Sequence, residues 1–450
     1  MNILLISPNT HTTPYPVYPL GLDYVAGSLA PHHAVRRFDR NCGDLDDLAA
    51  LLATFAPDLI GITCRNIDNT EAGAPRYFLR QYRELTDWLR SRSPAPIVCG
   101  GSGFTIMPGE AFAELGADWG IIGEGERFGL LAEALEQGRD PSAVPGVIGR
   151  NTPPGSIQPP PPWPGPRKRR LAPQEQLDFY SRHGGMLNLQ SKRGCAFRCV
   201  YCPYPHIEGH RHRPEPPEQV ARTALALEQA GAKYLFVTDS AFNSDVPHSL
   251  AVARAFARAG LKIPWGAFFA PLRPTPDYFA TMAEAGCRHV EFGTESLSLR
   301  MLVNYRKPFT VEDVFAAHEQ ARAAGLHTAH YFLLGGPGEC EATARETLAN
   351  IEGIAGAAFF FFVGARIYPG AELYDIALGR GKIDAHTNLL EPIFYENSAV
   401  SRERLEAMVI EQAKGRINWL VGSGGEAATK VVARMHARGW VGPLWEHLAR

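Results

Sequence analysis

The chain has 450 residues, 45% of them hydrophobic and 20% charged, with a formal net charge of -2. That length is too great for one ordinary core and predicts two or three domains. The near-neutral charge excludes a strong general pull toward nucleic acid or acidic membranes, and no apolar run reaches the roughly 18 residues that a membrane helix needs.

The opening MNILLISPN has neither the basic region nor the long apolar core of a signal peptide, so a cytoplasmic location is expected. Residues 1–150 alternate short apolar runs with helical stretches. ILLIS (3–7), DLIGIT (58–63), PIVCGG (96–101) and WGIIGEGE (119–126) read as strands. LGLDYVAGSLA (20–30) and YFLRQYRELTDWLRSR (77–92) have helical periodicity. Such alternation predicts a Rossmann-like, doubly wound parallel sheet, whose ligands lie beyond the C-terminal strand ends. Those ends carry Thr63, Arg65 and Asn66, then Gly100, Gly101 and Ser102, then Gly123 and Glu124.

Residues 151–185 include PPPPWPGPRKRR, whose proline density blocks helices and central strands and predicts a linker that wraps the surface or spans two domains. From 186 to 390 a second alternation begins, with strands expected at MLNLQS, YLFVTD, WGAFFA, HVEFGT, HYFLLGG and FFFFVGARI. Six repeats are too few for a full eight-unit barrel and predict an open, partial (β/α)6 TIM-type barrel. Residues 391–450 read as a mixed helical cap over the barrel mouth.

Eight cysteines are present, and five of them stand alone and read as small buried hydrophobes. Cys195, Cys199 and Cys202 do not: SKRGCAFRCVYCPYP (191–205) places three thiols within eight residues, directly after a strand. A closed zinc site takes four ligands, and His206 or His210 could complete one. A [4Fe–4S] cluster held by three protein thiolates instead leaves one iron open to a small ligand. A structural role for all three by chance is the third reading.

With Tyr201 just before the last cysteine, this stretch resembles the radical SAM superfamily. The resemblance implies that the open iron binds the amino and carboxylate groups of S-adenosylmethionine, and that an electron from the cluster, supplied by an external reductant such as flavodoxin or ferredoxin, cleaves it to a 5′-deoxyadenosyl radical. It places Asp239 and Ser240 at the methionine amino group, Glu295 and Ser296 (in FGTES) at the ribose, and Gly335 and Gly336 (in GGPGE) on the adenine side, next to ARIYPGAEL. Residues 1–150 resemble the cobalamin-binding domain fused before such barrels, through SPN…YPLGLDYVAGSLA, PDLIGIT, IVCGGSG and GADWGIIGEGE. The DxHxxG motif that supplies histidine to cobalt is missing, so cobalamin is expected without that lower ligand. Arg65 is expected beneath the corrin, or else paired with Asp68 on the surface.

Together these imply radical C-methylation of a small natural-product intermediate. The alternatives are cobalamin-independent dehydration, elimination or rearrangement of a sugar-like substrate, and a non-catalytic iron–sulfur electron carrier. Strand alternation puts His289, Glu291 and Gly293 on one face. Glu291 and His330 are the candidate substrate contacts or proton shuttles. RKRR in the linker reads as a solvated charge run, so a nucleic-acid partner is not expected.

Overall fold

Two parallel sheets, each built from a strand–helix repeat, carry the computed structural model, which describes residues 1–449. Arg450, the last residue of the expected cap, lies outside the described residues.

The first sheet contains β1 (Asn2–Ser7), β2 (Ala34–Asp39), β3 (Leu59–Thr63), β4 (Ile97–Gly100), β5 (Trp119–Ile121) and β6 (Val147–Gly149). Their order is β2-β1-β3-β4-β5-β6, parallel except for β6 against β5. The direction of winding reverses between β1 and β3, which opens a crevice beyond their C-terminal ends. β2 had no expectation: as AVRRFD on the sheet edge it buries only its last two residues, so it lacks the continuous apolar run of a central strand. The loop from Cys64 to Asn66 packs tightly on the start of the short helix Ser102–Ile106 that follows β4. A Cβ at Gly101, whose φ is +114°, would lie 2.9 Å from the Cys64 carbonyl oxygen, so only glycine suits that position.

The second sheet contains β7 (Leu187–Leu189), β8 (Leu235–Val237), β9 (Trp265–Phe269), β10 (Cys287–Glu295), β11 (His327–Leu334), β12 (Ala357–Val363) and β13 (Trp419–Val421). They run in chain order, all parallel, as an open sheet with free edges at β7 and β13. The six expected strands are all there. The seventh, β13, comes from the tail, which is therefore more than loops and helices. Its three residues add on beside β12 and leave too short a run for periodicity to reveal.

Alternation divides this sheet cleanly. Leu235, Val237, Ala267, Phe269, Val290 and Phe292 face the outer helices in one apolar core. Phe236, Phe268 and Tyr331 face the lumen, with rings 5.0 Å (Phe236–Phe268) and 6.2 Å (Phe268–Tyr331) apart. The tail reaches both ends of this barrel. Near the mouth, Asn397 Nδ2 donates to the Gly336 carbonyl at 2.8 Å. At the opposite end, Trp445 packs on Ala329 and Ala358, so the last turn closes the floor rather than only capping the mouth.

The proline-rich segment is anchored through its arginines. Arg169 Nε donates to Asp23 Oδ2 at 2.7 Å, the Arg170 amide donates to the Asp23 carbonyl at 3.0 Å, and Arg37 holds the other Asp23 oxygen at 2.6 Å. A second bridge joins the sheets directly: buried Arg366 donates to Asp68 at 2.8 Å and to the carbonyls of Ile367 and Leu389. These contacts set the crevice of the first sheet against the mouth of the second.

Candidate active site

The three cysteines sit in a loop pinned by backbone hydrogen bonds. The Cys195 amide donates to Gly209 O at 3.1 Å, Val200 N to Tyr305 O at 3.2 Å, and Leu373 N to Val200 O at 2.7 Å. Cys195 is buried and the other two are half-buried. Burial, then the neighbouring thiols, push Cys202 up to about 12; burial likewise raises Cys199, against the pull of Lys307. Held within eight residues of one pinned loop, the three thiols suit thiolate ligation of a cluster.

Behind the loop stands a group that spacing could not reveal. Tyr201 OH donates to Glu295 Oε1 at 2.7 Å, and Lys307 Nζ donates to the same oxygen and to Tyr201 OH, both at 3.1 Å. The Lys307 side chain is 7% exposed; burial works against its ammonium, and Glu295, then Cys199, outweigh that and raise its pKa. Glu295 has φ +61°, a left-handed conformation rare outside glycine, and it lies where the strand register against β11 shifts. Glu295 thus stands beside the cysteine loop and is shared with Tyr201 and Lys307. Lys307 was missed because it is 105 residues from Cys202 in NYRKP, with no motif around it.

Several residues expected to contact S-adenosylmethionine already have protein partners. Asp239 is 1% exposed, and its carboxylate already accepts from Ser191 N (2.8 Å), Ser191 Oγ (2.5 Å), Lys192 N (3.3 Å) and Lys192 Nζ (3.1 Å). Those four donors match a carboxylate's acceptor sites, so Asp239 holds the strand end together. Ser296 is likewise engaged, with Thr347 Oγ1 at 2.8 Å and the Ser298 amide at 3.1 Å. Gly336 is small because Tyr305 packs on it and its amide donates to Tyr305 OH; Gly335 has φ +89° and completes a turn onto Glu339. Ser240 differs from these: its Oγ is buried with no protein partner, which leaves the hydroxyl open to a ligand.

The candidate catalytic pair separates across the sheet. His330 faces the outer helices, with Nδ1 2.8 Å from Thr294 Oγ1 and Nε2 3.2 Å from His318 Nδ1. It is a satisfied core histidine with its pKa held well below normal by burial, and it does not meet the lumen. Glu291 does face the lumen, but Tyr331 OH at 2.8 Å and Trp445 Nε1 at 2.9 Å occupy its two oxygens. Burial raises its pKa. Glu291 therefore positions Tyr331 and the floor tryptophan, while His330 lies on the opposite face of the sheet.

At the junction of the two sheets lies a cavity of about 600 Å³. Thr63, Arg65 and Asn66 line it from the end of β3; Gly100, Gly101, Ser102, Gly123 and Glu124 line it from the next two strand ends. Leu5, Gly61, Val98, Ile121 and Phe128 extend it into the layer between sheet and helices, where a nucleotide tail could thread. From the other side Tyr204, Thr238 and Phe268 face in, joining the crevice to the barrel mouth. Arg65 is not paired with Asp68, whose partner is Arg366. Its Nε donates to Asn66 Oδ1 at 2.7 Å, it has no carboxylate partner among the described residues, and burial lowers its pKa. Glu124 lines the cavity but is tied into ion pairs with Arg213, Arg193 and Arg127, so its charge is already compensated. An apolar slot, glycine-lined strand ends and an unpaired cation fit a large corrin held without a protein ligand to cobalt.

Residues 189–351 match the radical SAM superfamily and residues 6–130 match the B12 binding domain. An uncharacterized methyltransferase from Pyrococcus horikoshii is 27% identical over 84% of this chain and 83% of its own length. The tryptophan 2-C-methyltransferase of Streptomyces laurentii is 25% identical over 82% and 73%. The solved structure of the radical S-adenosylmethionine methyltransferase TsrM from Kitasatospora setae, with tryptophan and an S-adenosylmethionine analogue bound, shares this fold. Its TM-score is 0.87 at 24% identity, covering 99% of this chain and 97% of that one.

Proposed function

For a chain that joins a B12-binding domain to a radical SAM domain, we propose cobalamin-dependent C-methylation of a small, flat, largely apolar molecule. The observation that carries this reading is the single cavity: every strand-end residue expected for the corrin opens onto the same space as Thr238 and Phe268 of the barrel mouth. When bound, the [4Fe–4S] cluster and cobalamin supply one-electron chemistry on S-adenosylmethionine and a transferable methyl group.

The chain's own residues divide the remaining work. Cys195, Cys199 and Cys202 hold the cluster. Ser240 offers its unpartnered hydroxyl to S-adenosylmethionine, and Tyr201 and Lys307 fix Glu295 beside it. Arg65 keeps the lower corrin face free of a ligand, since a guanidinium stays protonated and coordinates metals poorly. Substrate preference follows from the lumen: Tyr331 stacks on Phe360 at 4.9 Å and 11°, and Phe268 stands edge-on to it. Such rings recognise a planar apolar molecule and suit a sugar poorly, which disfavours the elimination or rearrangement alternative.

An external one-electron reductant, a flavodoxin or ferredoxin, completes the set. Exposed Arg198 on the cysteine loop, without a carboxylate partner among the described residues, is its point of approach. The reading places the protein in the cytoplasm, consistent with eight free cysteines. No described helix is long and apolar enough to cross a membrane.

Anaerobic reconstitution followed by assay of iron and corrin on the same sample tests the proposal. Stoichiometric corrin together with a cluster is the expected result; a chain that takes up the cluster and no corrin refutes it.

A further inference from the structure

Three side chains of the proline-rich segment keep a buried nitrogen without a hydrogen-bond partner, Trp163, Arg167 and Arg169, and of these Arg167 lines the cavity between the sheets. Arg167, in PGPRKRR, reaches into the junction between the sheets with its side chain 9% exposed. Its guanidinium lies over the Tyr24 ring, 3.6 Å from the centroid. Nε donates to Glu126 Oε1 at 2.8 Å and Nη1 to Gln190 Oε1 at 3.0 Å. Nη2 is buried and has no hydrogen-bond partner, and Arg167 lines the cavity described above.

A guanidinium is a rigid, planar fork of five donors. With one face stacked and two of its three nitrogens engaged, it cannot rotate to find another acceptor. A buried donor without a partner costs free energy in the unliganded chain, and the cost is removed when a ligand brings an oxygen to it. The surrounding charges give the ligand's character. Arg127, Arg167, Arg193 and Arg213 meet Glu124, Glu126, Glu208 and Glu215 in the same wall. The two signs are equal in number, so the open edge suits a neutral carbonyl as well as a singly charged oxygen.

We propose that Arg167 is a cobalamin-binding residue, delivered by the linker, whose Nη2 donates to an acceptor oxygen of the cofactor. This rests on the cobalamin reading above and adds a residue outside both matched segments, 6–130 and 189–351. Cobalamin presents two kinds of acceptor: the phosphodiester of its nucleotide tail and the amide carbonyls around the corrin. Either way the linker becomes part of the binding site, and its anchoring to Asp23 and Glu126 holds the arginine at the cavity wall.

The test is equilibrium dialysis of the full chain against hydroxocobalamin and against cobinamide, which keeps the corrin amides and lacks the nucleotide tail and its phosphate. Bound corrin is read from its optical spectrum. Arg167→Met keeps the stem and removes the fork; it weakens cobalamin binding by about ten- to a hundredfold, the loss of one charge-assisted hydrogen bond. Arg167→Lys, which retains a cation opposite Glu126, also weakens binding and keeps the test decisive if the methionine variant folds poorly. A loss confined to cobalamin assigns the phosphodiester; equal losses with both corrins assign an amide. Wild-type affinity in a folded variant overturns the proposal while leaving the cobalamin reading standing. A wild-type chain that binds neither corrin overturns both.

Discussion

Replacing Asp239 with Asn removes the carboxylate paired with the Lys192 ammonium, in a pair whose side chains are 0% and 1% exposed. The carboxylate accepts four hydrogen bonds, two from Ser191 and two from Lys192; the amide keeps one acceptor oxygen and turns an NH₂ toward groups that are themselves donors. Breaking a buried pair by removing one partner costs about 3–5 kcal/mol, mostly because a charge is left uncompensated. Lys192 Nζ retains the carbonyls of Ala241 (2.6 Å) and Phe242 (3.1 Å), which places the loss near the lower end, about 3 kcal/mol. Urea unfolding should show a lower midpoint for the barrel transition, and adding Lys192→Met should recover part of the loss by removing the orphaned cation. Affinity of the folded variant for S-adenosylmethionine, measured by equilibrium dialysis, should stay within about threefold, under about 0.7 kcal/mol. A loss of tenfold or more with an unshifted unfolding curve would refute this reasoning and return Asp239 to the role of ammonium ligand.

Ala in place of Cys195, Cys199 or Cys202 should each abolish the brown iron–thiolate chromophore, whereas Cys287→Ala, in a buried strand far along the chain, should keep it; optical spectra and iron content decide. With bound cobalamin, wild type should give the spectrum of a corrin with no protein ligand below cobalt, and Arg65→Lys, which cannot make the same contact to Asn66, should bind the cofactor more weakly. Burial holds His318 down to about 4, so the unfolded chain takes up its proton first. The stability contributed by the neutral ring is complete above pH 6.5 and is lost as pH falls toward 4, at most about 3 kcal/mol; His318→Gln should flatten unfolding free energy against pH across that window. Arg198→Glu should slow reduction by an acidic flavodoxin in low salt and leave reduction by dithionite unchanged, since only the protein donor feels the surface charge.

Features written over a few neighbouring residues were readable without coordinates. CxxxCxxC after a strand, the small residues at successive strand ends and the strand–helix repeat are local patterns, and each constrains chemistry or backbone within one turn of the chain. The edge strand β2 and the late strand β13 were not readable, because neither carries a buried run long enough to show periodicity. The roles of single polar residues were the least accessible. Asp239, Ser296 and His330 look like site residues from their positions at strand ends or on strands, yet each is satisfied by partners that the fold brings in from elsewhere: Lys192 from 47 residues away, Thr347 from 51, His318 from the helix before.

What the sequence laid out by itself was therefore the set of groups available for chemistry: three thiols in one short loop, strand ends lined by glycines, and Arg65 in a chain that lacks the DxHxxG histidine. Tertiary structure alone decided which donors and acceptors remain free for ligands. Hydrogen-bond satisfaction depends on the whole neighbourhood, so Ser240 Oγ and Arg167 Nη2 emerge as open only once every competing partner is in place. The meeting of the two sheets at one cavity is settled the same way, by Arg169 on Asp23 and Arg366 on Asp68, contacts across 146 and 298 residues that no local pattern encodes.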